Sequence, residues 1–205
     1  MDVDLEVLDR RSARFPEAVS VLARAFWRDA FFGHFTRDLL QELRLQPGFQ
    51  SASLLAPRTV GTVEVATDGP GGPILGVAAW VPPDPPGSAR LRRAHEILHL
   101  LPTLARIRHR RLALTVLGEC DRRHPTDPHH YLALLGTDPG AQGLGVGGRL
   151  LRAGLDRADA DGLPAYLETQ TAANVAWYSR FGFAEVGTVH VGSAPPLWLL
   201  RREPR

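Results

Sequence analysis

The spacing of the hydrophobic positions changes along the chain, and in the N-terminal part it predicts a strand followed by helices. Val3, Leu5 and Val7 alternate with polar residues, which predicts a strand from Val3 to Leu8. Apolar residues then recur at helical spacing over residues 16–28, and Pro16 suits a first helical turn. An aromatic cluster at residues 31–35 follows, and residues 38–45 are compatible with a second short helix.

β-branched residues dominate the next part and predict a hairpin. Strands are expected at residues 60–66 and 74–81, and the Gly- and Pro-rich residues 68–73 supply the turn between them. The Pro- and Gly-rich residues 82–87 end the second strand. Residues 89–117 are expected to be mostly helical, with a break near Pro102.

The last third alternates between short apolar runs and helical patterns. Its predicted elements are, in order, strand 131–135, helix 144–160, strand 165–167 running into Glu168, helix 174–180, and strands 183–191 and 197–200. Such alternation is typical of an α/β layer with helices packed on a sheet. Neither side of residues 82–87 carries a separate core pattern, so we expect one domain over residues 1–205.

Composition narrows the class of protein without naming a function. The chain is 44% hydrophobic and 22% charged, which is typical of a folded globular protein. All 24 basic residues are Arg and there is no Lys, a bias that GC-rich coding explains, while the net charge is only +2. The basic cluster at residues 106–111 is interpreted as a solvated helix face, so no nucleic-acid partner is expected.

Cysteine and hydropathy patterns exclude several kinds of protein. The single Cys120 leaves no disulfide within one chain. No apolar run approaches the roughly 20 residues of a membrane helix, and the acidic start is unlike a signal peptide, so we expect a cytoplasmic protein without membrane partners. His124, His129 and His130 lack the spacing of a standard zinc site, so no metal is expected.

The most informative segment is rich in glycine and opens a helix. The strand at 131–135 leads to an Asp138-Pro139-Gly140 turn, and four of the six residues at 143–148 are glycine. A helix start points several backbone N–H groups and its positive end at one spot, where a phosphate or pyrophosphate binds. Glycine lets the anion reach the backbone. The alternative is a Gly-rich turn with no ligand.

The known sequence patterns of phosphate-binding loops match this segment to different degrees. A Walker-type loop needs a Lys, which the chain lacks. Residues 143–148 match the dinucleotide pattern Gly-x-Gly-x-x-Gly, and Glu168 lies twenty residues past Gly148, the spacing of that fingerprint. Against it, residues 137–142 separate the strand from the loop, and only 37 residues follow Glu168. An NAD-binding oxidoreductase therefore stays a weaker alternative.

Two linked motifs carry a family resemblance. Gln142-x-x-Gly145-x-Gly147 follows a Thr-Asp-Pro turn, and Asn174, Tyr178 and a Phe181-Gly182-Phe183 sequence follow the next strand. This combination resembles the GNAT N-acetyltransferases. The resemblance implies acetyl-CoA as co-substrate and an acyl-CoA-binding core at about residues 124–190. It also implies a mixed, mostly antiparallel sheet of about six to seven strands with helices on both faces.

Within the superfamily, the chain looks most like the branch that includes puromycin N-acetyltransferase. His124-Pro125, residues 129–132 and residues 77–82 carry that likeness, and His130 departs from it because an aromatic residue is expected there. The likeness is strong from about residue 124 to 186 and weak before residue 60. It implies a primary amine on a small molecule as acceptor. A monomer or a homodimer is expected, and the sequence does not decide between them.

Site residues follow from the same resemblance. It places the cofactor against Leu135, Gly136, Thr137, Gln142, Gly143, Leu144, Gly145, Val146, Gly147, Gly148, Asn174 and Tyr178. Tyr178 is the expected general acid, because a phenol with pKa near ~10 can protonate the departing thiolate; helix packing is the alternative. Asn174 lies four residues earlier on the same helix face, where an N-cap would also explain it. Glu168 would take the amine proton or bind the substrate cation, or it is an exposed strand-end carboxylate.

The acceptor is expected beside the segment after the first helix. Trp27, Asp29 and Phe31, with Trp80, are the predicted substrate residues: aromatic faces bury a ring and a carboxylate attracts a cation. The alternative is that these aromatics are simply core. A different class of function also stays open, since the same fold could sense acyl-CoA without catalysis.

Overall fold

A computed structural model describes residues 3–83 and 98–205, without the side chains of residues 56–58. Seven strands of the described residues form one sheet. They are β1 (Val3–Val7), β2 (Thr62–Asp68), β3 (Ile74–Val81), β4 (His130–Thr137), β5 (Ala165–Thr169), β6 (Ala184–Val189) and β7 (Leu197–Arg202).

The strand order is β1-β2-β3-β4-β5-β7-β6, and every neighbouring pair is antiparallel except β4 and β5. The predicted fold class, a mixed and mostly antiparallel sheet of six to seven strands, is therefore confirmed. The parallel pair is short: only His130 and Tyr131 of β4 pair with β5, opposite Ala165 and Tyr166. Beyond those two residues the strands separate, which opens the centre of the sheet.

Helices cover both faces of the sheet. They are α1 (Phe15–Ala25), α2 (Ala30–Phe35), α3 (Leu39–Ser53), α4 (Leu55–Val60), α5 (Arg110–Arg123), α6 (Val146–Ala160) and α7 (Ala172–Ser179), and residues 98–104 are also helical. Alternate side chains of a strand point to opposite faces of the sheet, so they show which helices pack on each face. Ala78 and Trp80 of β3 join a core with α6 and α7, whereas Val77 and Ala79 join a core with α1.

Several boundaries differ from the prediction. Helix α3 runs to Ser53, about two turns beyond the expected end at residue 45, and it passes through Pro47. The predicted break near Pro102 lies instead at residues 105–109, and α5 continues to Arg123. Residues 84–97, which include most of the predicted Pro-Gly loop and the start of the predicted helix, lie outside the described residues.

Two short helices were not predicted from periodicity, and a side-chain cap accounts for the first of them. The aromatic cluster at residues 31–35 is part of α2, whose first N–H groups are capped by the Asp29 side chain. Residue 60, expected to begin a strand, ends α4 instead, and β2 starts at Thr62. Short elements of this kind contain too few residues to show a period.

None of the described helices is both long and apolar enough to cross a bilayer.

A buried ion pair attaches helix α6 to the sheet. Arg202 of β7 is almost fully buried and donates from both terminal nitrogens to Asp159 of α6, at 2.7 Å each. Asp159 also accepts from the backbone N–H of Arg205. The hydrogen bonds from Arg202 lower the pKa of Asp159 to about 2. Its carboxylate form therefore stabilises the fold.

We expect Asp159→Asn to lower the free energy of unfolding by about 2 kcal/mol at neutral pH, the size that this pKa shift implies. The contribution is present above the ordinary pKa of 3.8 and is lost as pH falls through about 2. Denaturant unfolding at a series of pH values measures it. Asp156→Asn, an exposed carboxylate on the same helix, is the matched control. Equal acid sensitivity in parent and Asp159→Asn would contradict this assignment.

Candidate active site

A cavity of about 370 Å³ lies where β4 and β5 separate. Both strands line it, β4 through residues 131–135 and β5 through residues 167–169. Asn174 and Tyr178 of α7 contribute from one side, and aromatic residues of α2 and α3 contribute from the other. The cavity therefore connects the two faces of the sheet through the gap between its central strands.

The glycine loop lies at the start of α6, next to the end of β4. Helix α6 begins at Val146, and its N-cap Gly145 offers no side-chain cap to the first N–H groups. Gly143 and Gly145 both have φ of +80°, a left-handed conformation that L side chains rarely adopt. The loop thus exposes backbone donors at a positive helix end, the arrangement that binds phosphate groups.

The remaining predicted residues of this segment have distinct structural roles. Asp138 caps the turn by accepting from the N–H of Gly140 at 3.0 Å, and it forms an ion pair with Arg24 of α1. Gln142 donates to the carbonyl of Thr137 at 3.4 Å, which ties the loop to β4. A Cβ on Gly136 would lie 2.9 Å from Leu22, so this glycine lets α1 pack closely on β4.

Tyr178 lies in the core between α6 and α7, and it also lines the cavity. It is 9% exposed, and its ring packs edge-on against Phe183 with centroids 5.7 Å apart. Burial raises the pKa of its phenol above the ordinary value of 10. The hydroxyl is therefore protonated throughout the neutral range.

Asn174 is held by a polar contact to β5. Its side-chain amide donates to Thr169 Oγ1 at 3.0 Å, and the residue lines the cavity. The N-cap of α7 is Thr171, whose hydroxyl accepts from the backbone N–H of Asn174. The N-cap role considered for the Asn174 side chain is therefore wrong, because that position belongs to Thr171.

Glu168 also lines the cavity, on the face of β5 opposite Leu167. Its carboxylate accepts two phenol hydrogen bonds, from Tyr131 and Tyr166, each at 3.3 Å. Its side chain is only 16% exposed. The alternative of an exposed strand-end carboxylate does not describe it, because both oxygens are engaged at the wall of a cavity.

The part of the cavity wall formed by the end of α1, α2 and α3 is aromatic and includes the carboxylate of Asp29. Phe26, Phe31, Phe32 and Phe49 supply the rings. Asp29 Oδ1 accepts from the N–H groups of Phe31 and Phe32, at 3.0 Å each, whereas its Oδ2 receives no hydrogen bond from the described residues. This wall can bury an apolar body and attract a cation.

Two glutamines of α3 form a directed chain beside the rings. The Phe26 carbonyl can only accept, so Gln46 donates to it through Nε2 at 2.9 Å. Gln46 Oε1 then accepts from Gln50 Nε2 at 3.0 Å, and both residues are only 1% exposed. Gln50 Oε1 is left without a hydrogen-bond partner among the described residues. The chain therefore ends in an acceptor at the cavity wall.

Two predicted substrate residues lie elsewhere. Trp80 is 2% exposed and belongs to the core under α6, where a Cβ on Gly154 would meet its indole at 2.1 Å. Trp27 is half-buried in the turn after α1. Neither is among the described residues that line the cavity, whereas Asp29 and Phe31 are. The substrate roles predicted for Trp27 and Trp80 are therefore not retained.

The model of the acetyltransferase (GNAT) family matches residues 24–183, which include the sheet centre, the glycine loop and α7. The chain belongs to the GNAT acetyltransferase family. The resemblance seen in the glycine loop and the Asn174–Tyr178 helix is thereby confirmed at the level of the family.

Solved structures agree with this membership. A Corynebacterium glutamicum protein described as histone acetyltransferase HPA2 and related acetyltransferase is 26% identical, with TM-score 0.72 and coverage of 100% of this chain and 98% of that one. The Drosophila melanogaster polyamine N-acetyltransferase (17%, TM-score 0.59) and a mosquito arylalkylamine N-acetyltransferase-like 5b protein (15%, TM-score 0.59) each cover 98% of this GNAT chain and 100% of their own. The last two show a shared fold.

Some site residues of this GNAT chain were not predicted. Tyr131 and Tyr166 were not among the predicted site residues, yet both donate hydrogen bonds to Glu168. Gln46 and Gln50 were not considered, although their four-residue spacing in a helix with exposed leucines is a detectable polar stripe.

The histidines considered as metal ligands form other contacts. His130 bonds Asp161 at 2.8 Å, whereas His124 and His129 bond each other at 3.1 Å. Among the described residues, no group of three or more His, Cys, Asp or Glu side chains is arranged to hold a metal ion.

Proposed function

We propose that this protein transfers an acetyl group from acetyl-CoA to a primary amine of a small molecule, by direct attack of the amine on the thioester. The observation that carries the proposal is the cavity in the gap between β4 and β5. It is lined on one side by β4, whose end leads into the glycine loop at the start of α6, and on the other by aromatic and acidic side chains. Membership of the GNAT family supports acetyl-CoA as the donor.

The donor would bind with its pyrophosphate on the N–H groups of residues 143–148. Its acyl arm would enter the gap along Leu135, where β4 has left its parallel partner. Unpaired strand N–H groups are strong donors, and a thioester carbonyl placed there would be polarised. Asn174, fixed by Thr169, would contact the arm from α7.

The chemical step needs a base and an acid. Glu168, at the cavity wall, would take the proton of the amine as it attacks. Tyr178, kept protonated by burial, would donate to the departing thiolate. The two side chains line the same cavity from different elements, which supports a mechanism in which they would flank the reacting centre.

The acceptor would be an amphiphilic amine, in keeping with the likeness to the puromycin N-acetyltransferase branch. Four phenylalanine rings suit its apolar body and Asp29 Oδ2 suits its cation before deprotonation. The Gln50 oxygen suits an additional N–H or O–H donor on the same molecule. A cavity of about 370 Å³ is in the range of small-molecule sites.

An acetylation assay tests the whole proposal. The protein is incubated with acetyl-CoA and a panel of aliphatic, polyamine and arylalkyl amines, and with histone-like and ribosomal peptides, while free thiol is followed. We expect amine-dependent thiol release with small amines. Tight acetyl-CoA binding with no acceptor-dependent release would favour the alternative, a non-catalytic acyl-CoA sensor.

The glycine loop gives a binding prediction. Gly145→Asp should lower acetyl-CoA affinity at least ~10-fold, because it adds a like charge beside the pyrophosphate and a side chain at positive φ. Gly162→Asp is the matched control: Gly162 has φ of +65° and equally open space at the other end of α6. Calorimetry measures both. Unchanged affinity in Gly145→Asp, or tight NAD binding by the parent, would contradict the assignment of the loop.

The proton donor gives a kinetic prediction. Tyr178→Phe keeps the ring that packs on Phe183 but removes the hydroxyl, so turnover should fall ~10²-fold or more with nearly unchanged acetyl-CoA affinity and melting temperature. Steady-state kinetics on a confirmed acceptor measure the fall. Parental turnover in this variant would remove Tyr178 from the mechanism.

Asp29 gives a third prediction, which distinguishes the effect of its negative charge from its role as the N-cap of α2. Asp29→Asn retains an N-cap for α2 while removing the negative charge, so KM for a cationic amine should rise about 10-fold with unchanged acetyl-CoA binding. Asp38→Asn makes the same change at the N-cap of α3, on an exposed side chain outside the cavity lining. An equal effect of the two variants on KM would refute the role of Asp29.

A further inference from the structure

Two histidines lie against Glu168 and take no part in the mechanism described so far. His124 is the C-cap residue of α5, and His129 immediately precedes β4. Their rings are 4.9 Å apart between centroids, and both pack edge-on against Tyr166. His124 also packs edge-on against Tyr131. These two tyrosines are the ones that hold the Glu168 carboxylate.

The backbone fixes which nitrogen of each ring carries its proton. His129 Nδ1 lies 2.8 Å from the Asp127 carbonyl, which can only accept, so Nδ1 carries the proton and donates. In the neutral ring His129 Nε2 is then an acceptor. His124 Nε2 lies 3.1 Å from it and must be the donor. Neutral His124 therefore has a free lone pair on Nδ1.

That lone pair faces the proposed base. His124 Nδ1 is buried and has no hydrogen-bond partner among the described residues. It lies 3.7 Å from Glu168 Oε1, slightly beyond hydrogen-bond range. A buried nitrogen without a partner lowers the stability of the folded protein, so its presence calls for a functional explanation. A small side-chain rotation brings it into contact with a protonated Glu168.

We propose that His124 receives the substrate's proton from Glu168, a relay that rests on the acetyltransferase function proposed above. When the amine N–H bond breaks, its electron pair stays on nitrogen and the proton goes to a Glu168 oxygen. The O–H bond then breaks as N–H forms at His124 Nδ1, which leaves a carboxylate and an imidazolium. The His124 side chain is 13% exposed, although its Nδ1 is buried, so release of the proton to solvent requires the imidazolium ring to turn Nδ1 toward the exposed part of the residue.

The chemistry favours such a second acceptor. A free carboxylate has a reference pKa of about 4.3 and imidazole one of about 6.5, so imidazole is the better proton acceptor near neutral pH. His129 and the Asp127 carbonyl act on His124 rather than on substrate. They are positioning groups that hold its ring with Nδ1 toward Glu168.

The groups around His124 favour transfer of the proton to His124 rather than to His129. Glu168 and Tyr166 face His124 from β5, Tyr131 faces it from β4, and His129 lies behind it. Further out, Asp127 and Arg201 of β7 form an ion pair. Burial lowers the pKa of His129, and the nearby His124 lowers it further. His129 thus stays neutral and remains an acceptor while His124 takes the charge.

Kinetics of His124→Gln test the relay. Glutamine can still donate toward His129 but has no nitrogen that takes up a proton, so kcat/KM for the amine should fall ~10²-fold at neutral pH. The KM for acetyl-CoA should stay unchanged. The acidic limb of the pH profile of kcat/KM should also move to lower pH, which a purely structural role would not cause. His190→Gln, at an exposed position outside the network, is the control.

A second readout does not depend on turnover. ¹⁵N NMR of labelled histidines should show neutral His124 protonated on Nε2 and neutral His129 protonated on Nδ1. Protonation of His124 on Nδ1 would overturn the relay. So would a His124→Gln variant with parental kcat/KM and pH profile. Failure of the acetyltransferase proposal is recognised separately, as a parent protein that acetylates no amine.

Discussion

The separation of β4 from β5 after two paired residues is the constraint on which the site depends. Parallel strands that stayed paired would satisfy each other's backbone groups and close the sheet. Because they diverge, the N–H and C=O groups of β4 beyond Tyr131 lose one partner strand, and the space between the strands becomes a cavity. Helices on both faces border the opening, so the gap forms a cavity that remains open to solvent.

Three contacts keep the opening in place. Gly136 allows α1 to approach β4 closely, and the Asp159–Arg202 pair ties α6 to β7 beyond the gap. Asp138 bonds both the turn after β4 and Arg24 of α1, which fixes the glycine loop relative to the sheet. The rigid parts thus surround the cavity, and the catalytic candidates project from them.

The sequence predicted the fold class and the family well, and it located the glycine loop and the helix after it, because those features depend on local pattern. The glycines at 143–148, the helix after them and Tyr178 are each recognisable within a few residues. The cavity wall formed by α2 and α3 was harder to predict, because its residues are far apart in sequence and meet only in the folded structure. Trp80 is an aromatic residue of the kind that often binds ligands, but its indole packs against Gly154 of α6 in the core on one face of the sheet. Gln50, in contrast, lies on a buried helix face that is polar, whereas the buried face of a surface helix is usually hydrophobic.

The Phe26–Gln46–Gln50 chain has a consequence for selectivity. Each amide in it points the same way, so the dipoles add and the last oxygen is a stronger acceptor than an isolated amide. Neither amide can flip alone, since a flip would set two oxygens or two NH₂ groups against each other. A molecule that brings a carbonyl to this place would meet electrostatic repulsion that the wall has no means of relieving. A cavity with this wall would therefore discriminate between molecules by their polarity as well as by their size.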